Sequence, residues 1–316
     1  MRILISGATG FLGRFLTNAL KKKGEDVVTF GSSDCDLTLS DSLNQFNGIR
    51  FDQIYHLAAW TQAGDFCLKH PGEQWIMNQK INTHMLDWWC KEQREAKLIA
   101  MGTSCGYDPT LPLEEDNYLK GCPIDSLFTY AMTKRMLLNG LLALHKQYGL
   151  NFLYVVPSTL YGPGYHTDDR QLHFIFDLMR KILLGKYEGE TVVLWGNGEQ
   201  KRELVHIDDF VNGLLMLSKK VSNTLLNIGA GEEYSIKEFA QILCRLVDYP
   251  FEKIKFDTNR YVGATSKVLN ISRLREFLPA FNTIPIEQGL AETVSWYNTH
   301  RQKRSGPRHK CEKALG

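Results

Sequence analysis

Two sets of residues have types and spacing suited to chemistry. Tyr130 and Lys134 stand four apart in Tyr130-Ala-Met-Thr-Lys134, at the head of a segment with helical apolar spacing. That spacing puts both on one helix face. A phenol with a pKa of about 10 gives up its proton poorly at neutral pH. An ammonium beside it stabilises the phenolate and makes a workable acid–base group. The second set is Gly7-Ala8-Thr9-Gly10-Phe11-Leu12-Gly13, which follows an apolar run and opens a helical one. Gly7 permits a tight turn, Gly10 lets backbone N–H groups approach a pyrophosphate, and Gly13 lets helix and strand pack closely. A third segment, Met101 to Tyr107, closes an apolar run at the kind of strand end where open α/β sheets place their chemistry.

The elements that must position these residues follow from periodicity. Strands are expected over 2–6, 27–30, 53–57, 97–101 and 151–157, and helices over 11–23, 71–95 and 126–148, the last closed by Gly149. After Tyr161 the texture changes to Gly-Pro-Gly, a polar stretch, a helix over 170–184 and two glycine-bearing loops, 195–198 and 229–231. The expected fold is α/β: a Rossmann doubly wound parallel sheet with a smaller, interwoven C-terminal substrate domain. The first domain covers 1–161 and is completed by about 203–226. The second takes most of 162–300.

Composition narrows the class. The net charge is +2, yet residues 301–316 hold six Lys/Arg against Glu312 alone, leaving 31 bases and 34 acids in the body. The basic charge is a property of the tail, which is aperiodic and expected to be disordered. A nucleic-acid protein carries its charge as a stripe on the fold, so that class is not expected. Seven scattered cysteines (35, 67, 90, 105, 122, 244, 311) contain no C-x-x-C pair, which excludes a zinc ribbon and argues against a secreted disulfide framework. No metal site is expected. With no signal-peptide pattern and no membrane-length apolar run, the expectation is a cytoplasmic protein with reduced thiols.

The second strand should end where an acid would hold the ribose 2′-OH of NAD. Counting 18 from Gly13 reaches Gly31, then Ser32 and Ser33; Asp34 and Asp36 come late. Hydroxyls without an acid favour the 2′-phosphate of NADP, with Arg14 nearby. NADP(H) is the expected cofactor and NAD the alternative.

The glycine loop, His56-Leu-Ala-Ala59, Thr103 to Tyr107, the Tyr-x-x-x-Lys pair, Leu160-Tyr-Gly-Pro163, Arg202-Glu-Leu-Val-His-Ile-Asp-Asp209 and Asn227-Ile-Gly229 occur in the order of an extended short-chain dehydrogenase/reductase. The chain resembles that family over about residues 1–298. The resemblance implies a dinucleotide along Gly7, Gly10, Phe11, Leu12, Gly13, Ser32, Ser33, Leu57, Ala58, Ala59, Asn78, Tyr130, Lys134, Pro157 and Leu160. It implies that Thr103 and Tyr130 hydrogen-bond the C4 oxygen of a nucleotide-activated sugar, and that Lys134 holds the nicotinamide ribose and lowers the tyrosine pKa. The 4,6-dehydratases carry Asp-Glu after the threonine; Ser104 and Cys105 stand there, so dehydration is not expected.

The GDP-L-fucose synthase subfamily matches better. Cys105 falls on its cysteine and His173, twelve beyond Tyr161, on its histidine. A cysteine and a histidine on opposite faces suit 3,5-epimerisation of a 4-keto sugar, whose carbonyl acidifies the neighbouring protons. The same resemblance implies sugar-nucleotide contacts at Ser104, Lys181, Trp195, Arg202 and Lys267. A packed core role for His173 and Trp195, and an inert one for Cys105, are the alternatives. Two places depart from the pattern: Lys181 stands for an arginine, losing the bidentate fork, and Val262 stands for an aspartate. These favour a reductase for a different 4-keto nucleotide sugar, GDP-linked or otherwise. Redox-neutral C4 epimerisation with tightly held NAD, and a non-catalytic Rossmann scaffold, are the competing readings. Relatives dimerise through a four-helix bundle, implying a homodimer through 78–95 and 126–148, with Trp88 and Trp89 suited to the interface; burial against the sheet within the subunit is the alternative.

Overall fold

The computed structural model describes residues 1–63, 66–166, 170–259 and 264–302. Strands β1 (Arg2–Ser6), β2 (Asp26–Phe30), β3 (Gln53–His56), β4 (Lys97–Met101) and β5 (Phe152–Pro157) alternate with helices α1 (Phe11–Lys22), α2 (Phe66–Lys69), α3 (Pro71–Glu92) and α4 (Phe128–Tyr148). Then come β6 (Thr159–Tyr161), α5 (Phe174–Glu188), β7 (Val193–Trp195), β8 (Lys201–Arg202), β9 (Leu204–His206), α6 (Ile207–Lys220) and β10 (Thr224–Ile228). The chain continues through β11 (Tyr234–Ser235), α7 (Ile236–Val247), β12 (Lys255–Asp257), α8 (Ser272–Phe277) and α9 (Ile286–Gln302).

Six strands make one parallel sheet in the order β10-β5-β4-β3-β1-β2. Their apolar runs are buried because helices cover both faces, as parallel sheets require. The chain reverses direction across the sheet at β1, which has β2 on one side and β3 on the other. In a doubly wound sheet such a reversal places the ligand position at the carboxyl ends of the strands. The fold class expected from the sequence is the one observed.

Two apolar cores coexist. The first lies on the sheet and includes Leu4, Trp89, Tyr154 and Phe210; the second joins α5, α7 and α9 through Phe176, Ile182, Phe239 and Leu290. Phe11 packs against both, with its ring 5.2 Å from that of Tyr165 and 6.4 Å from that of Phe176. The glycine loop is therefore seated where the two cores meet. Leu269, Ile271, Leu274 and Leu278 return to the first core, a contribution outside the expected 203–226.

Three expectations need correction. The helix expected over 170–184 runs over Phe174–Glu188, stopped by Gly189 in the left-handed region (φ 72°). His173 is consequently its N-cap residue, extended at φ −60° and ψ 153°, and not a helical position. Trp88 and Trp89 are inside the subunit: they are 5% and 0% exposed, and their indoles donate to Asn47 Oδ1 and the Ala96 carbonyl. They cannot line an interface. Val262 and residues 303–316, where the substituted aspartate and most of the basic tail fall, lie outside the described residues. Among the described residues no helix is long and apolar enough to cross a membrane.

Candidate active site at the carboxyl edge of the sheet

The glycine loop leaves β1 through Gly7, at φ +68°, where a Cβ would meet the Ala58 nitrogen at 2.8 Å. A Cβ at Gly13 would lie 2.3 Å from the Gly7 carbonyl oxygen, so helix and turn touch backbone to backbone. Among the described residues a Cβ at Gly10 would meet only that same oxygen, at 3.3 Å. Gly10 is also the N-cap of α1 and caps no amide with a side chain. The first-turn N–H groups, at the positive end of the helix, are left as donors for an external anion. These residues fit the diphosphate of a dinucleotide. Ser158 adds a buried hydroxyl with no hydrogen-bond partner among the described residues, directly after Pro157 at the end of β5.

The rest of the expected cofactor wall is tied down. The Leu57 and Ala58 N–H groups both donate to Ser6 Oγ, at 3.2 and 3.3 Å. The single Ser6 proton then goes to His56 Nδ1 at 3.0 Å, which puts the ring proton on Nε2 facing Asn82 Oδ1 at 3.1 Å. Burial, followed by the Lys134 charge, pushes His56 down to about 4, so it is neutral. Asn78 spends its amide on the Trp60 N–H and carbonyl and on the Gln74 carbonyl, and so holds the 57–60 segment in place. Ala59 and Leu160 are half-buried. Beyond β2, Ser32 and Ser33 are exposed, and Asp34 folds its carboxylate back onto the Gly31 N–H at 2.9 Å. Arg14 reaches the Gly164 carbonyl.

Next to this wall β4 delivers Thr103. It caps a short 3₁₀ turn, Ser104–Gly106, its Oγ1 accepting the Cys105 N–H at 3.3 Å. Tyr130 and Lys134 lie one turn apart on α4, with Lys134 Nζ 5.9 Å from the Tyr130 ring centre. Lys134 is 3% exposed, and burial pushes it down to about 8. Burial, then Cys105, Tyr118 and Cys67, raises the Tyr130 phenol above its ordinary value. The lowering of the phenol that the resemblance implies is not what these protein groups produce.

Four further chain segments close the site. Lys267 Nζ donates to Cys105 Sγ at 3.0 Å. Burial by itself would raise the thiol, but the Lys267 charge and hydrogen bond, the Thr103 hydroxyl and the Arg202 charge together hold it below the usual thiol range. Lys267, expected as a sugar-nucleotide contact, lies against the Cys105 thiol in this structure. Arg202 donates to the Ala264 carbonyl at 2.8 Å and so braces the segment that carries Lys267. His173 is exposed, and desolvation by its neighbours, followed by the Lys267 and His166 charges, disfavours its cation. A core role for His173 is thus not observed.

Trp195 is 55% exposed rather than core, with Lys181 Nζ 5.8 Å from its ring centre and 3.0 Å from Asp177. Ser104 is half-buried in the 3₁₀ turn. Among the described residues no three His, Cys, Asp or Glu gather as metal ligands.

Sequence reasoning overlooked Glu203, Tyr118 and Tyr154. Glu203 is 1% exposed and accepts the Gly231 and Leu269 N–H groups at 2.7 and 2.9 Å, and burial pushes it up to about 7. Tyr118 accepts the Thr103 N–H at 3.3 Å. One signal was available: Gly102 and Gly106 flank the site, and glycine beside a catalytic strand end marks a bulky neighbour.

A model of the NAD dependent epimerase/dehydratase family matches residues 3–229. GDP-L-fucose synthase of Dictyostelium discoideum is 28% identical over 308 residues, covering 93% of this chain and 94% of that protein. A dTDP-4-dehydro-6-deoxy-D-allose reductase of a Streptomyces species is 27% identical over 326 residues, covering 95% and 97%. The crystal structure of a GDP-L-fucose synthetase from Naegleria fowleri bound to NADP superposes with a TM-score of 0.84 at 25% identity, covering 95% of each chain.

Proposed function

The chain belongs to the NAD dependent epimerase/dehydratase family, and from that premise we propose that it reduces a 4-keto-6-deoxy nucleotide sugar with NADPH. One observation carries the choice within the family: Cys105, held in an acidified state by Lys267 at 3.0 Å, stands two residues from Thr103. Redox-neutral C4 epimerisation has no use for an activated thiol there. The relatives' names point the same way, being GDP-L-fucose synthases and a 4-keto-deoxysugar reductase.

Thr103 and Tyr130 hold the C4 oxygen of the sugar, and Tyr130 gives it a proton as the ketone becomes an alcohol. Lys134, buried one turn along α4 from Tyr130, would hold the nicotinamide ribose. A dinucleotide held along the glycine loop and by Lys134 would supply the hydride taken up at C4. Before reduction the ketone acidifies the protons at C3 and C5. Cys105 and His173 exchange them, one accepting a proton from one face and the other returning one on the opposite face. Arg202, Lys181 and Trp195 are the side chains for the nucleotide diphosphate, and Ser104 contacts the sugar.

We place the protein in the cytoplasm as a homodimer through α3 and α4. The support for the dimer is the exposed apolar side chains Met136 and Leu142 on α4 and Trp75 and Ile76 in the first turns of α3.

The test is a panel of GDP- and dTDP-linked 4-keto-6-deoxy sugars with NADPH or NADH, read by dinucleotide oxidation and product NMR. NADPH consumption matched by a new C4 alcohol is expected, and in D₂O without reduced dinucleotide, deuterium should enter C3 or C5 and be lost in Cys105→Ser. No oxidation across the panel, with dinucleotide co-purifying, would transfer the assignment to redox-neutral epimerisation.

A further inference from the structure

The reading above needs Thr103 on one side of the reacting carbonyl and Tyr130 with Lys134 on the other. The first leaves β4 and the others sit on α4, so the gap between two elements must be set to a fraction of an ångström. We propose that Tyr118 and Tyr154 form a buried strut that fixes this gap, making both positioning residues for the proton and hydride steps. The proposal rests on the reading of Thr103, Tyr130 and Lys134 as the groups around the C4 oxygen.

Proton counting gives the strut a direction. The Tyr154 hydroxyl donates to the Lys134 carbonyl at 2.7 Å. Its one proton is then committed, so Tyr118, whose oxygen is 3.1 Å away, donates to Tyr154. The Tyr118 oxygen in turn accepts the Thr103 N–H at 3.3 Å. The chain of three bonds runs from the Thr103 amide through two phenols to the Lys134 carbonyl, each hydroxyl donating once and accepting once. Tyr118 is 1% exposed and Tyr154 fully buried. Burial raises the first to about 12 and the second well above its ordinary value, so neither ionises and the chain is a spacer, not a proton relay.

The backbone is cut to fit these rings. A Cβ at Gly102 would come within 2.6 Å of the Tyr154 ring, and one at Gly106 within 2.5 Å of the Tyr118 hydroxyl. Glycine on either side of the Thr103 turn is what lets the phenols lie under it. The molecule also contains a control. Tyr107, 3% exposed, packs edge-on against Tyr118 with ring centres 4.9 Å apart, but its hydroxyl donates to Asn227 Oδ1 at 2.7 Å, outside the strut.

A displacement of about 1 Å between reacting groups costs on the order of 100-fold in rate, and loss of one hydroxyl should produce a part of that. Tyr154→Phe and Tyr118→Phe are each expected to lower kcat roughly tenfold, with KM for the sugar nucleotide changed less than about twofold. The double variant should be no slower than the slower single one, because one missing link disables the chain. Tyr107→Phe should lower the unfolding temperature and keep kcat.

The strut is overturned if Tyr154→Phe keeps kcat within about twofold, if the two single effects multiply, or if Tyr107→Phe loses as much kcat as Tyr154→Phe. Should Tyr154→Phe not fold, Tyr118→Phe decides, since it leaves the Tyr154–Lys134 bond intact. If the wild-type protein turns over no sugar of the panel, the functional reading has failed on its own. The strut is then judged by fluorescence titration with NADPH alone: weaker binding in Tyr154→Phe but not in Tyr107→Phe supports it, and equal affinities overturn it.

Discussion

The cofactor cradle and the opposite wall of the cleft are built by different means. The cradle is backbone: Gly7 against Ala58 and Gly13 against the Gly7 carbonyl leave no room for a methyl group, and Ser6, His56 and Asn82 behind it are neutral and mutually bonded. The wall we propose is side chain: Lys267, Arg202, His173, Lys181 and Trp195 come from four separate stretches, Lys267 against Cys105 and Lys181 against Trp195, with His173 and Trp195 exposed. A surface made of backbone binds what never varies, a dinucleotide diphosphate. A surface made of long side chains is altered by single substitutions, and that is where members of one family can diverge in substrate.

The largest predicted effect tests the rigid side. Gly13→Ala must place its methyl 2.3 Å from the Gly7 oxygen and 2.7 Å from Ala8 Cα, both backbone atoms. The helix cannot relax without leaving β1, so a loss of about 1–3 kcal/mol of stability is expected from overpacking. Dinucleotide binding measured by calorimetry should fall below detection. Retained binding with unchanged stability would show that the cradle is softer than its contacts imply.

An intermediate effect tests the charged side. Lys267→Met removes the main influence that acidifies Cys105, leaving the smaller ones of Thr103 and Arg202 against burial, which acts in the opposite direction. The thiol should therefore titrate at higher pH. Alkylation of Cys105 by iodoacetamide, followed by peptide mass spectrometry across a pH series, should shift its midpoint upward and run roughly tenfold slower at neutral pH. Cys122, exposed and remote in its contacts, serves as the internal reference. An unchanged Cys105 profile would mean that Lys267 does not act on the thiol, and the comparison between the two halves would lose its clearest element.

The same division explains what was legible beforehand. β1, the glycine loop, β4 and the Tyr130–Lys134 turn are local patterns, and each was readable because its residues act within a few positions of one another. The exposure of Trp195, the capping position of His173 and the Lys267–Cys105 contact depend on which distant segments meet. Lys267 is 162 residues from Cys105, and no spacing rule connects them. Trp88 and Trp89 misled for a related reason: adjacent tryptophans suggest an outer surface, while here both indoles find acceptors inside the subunit. Tyr154 was hidden in a strand whose other buried residues are Phe152, Leu153, Val155 and Val156, where a phenol looks like one more apolar side chain until its hydroxyl is traced.

The smallest effect is expected at Trp195, and it separates a binding surface from a core most sharply. A buried tryptophan replaced by alanine costs about 3–5 kcal/mol. Trp195 is 55% exposed, and its described cationic neighbour, Lys181, retains Asp177 when the ring is removed. Trp195→Ala should therefore lose no more than about 1 kcal/mol, the size of one exposed cation–π contact, when unfolded in urea. Its cost should appear instead as a rise in KM of about threefold to tenfold for the sugar nucleotide, the equivalent of one lost stacking contact, with kcat unchanged. A large loss of stability with KM intact would return Trp195 to the core and leave the wall of the cleft without its aromatic surface.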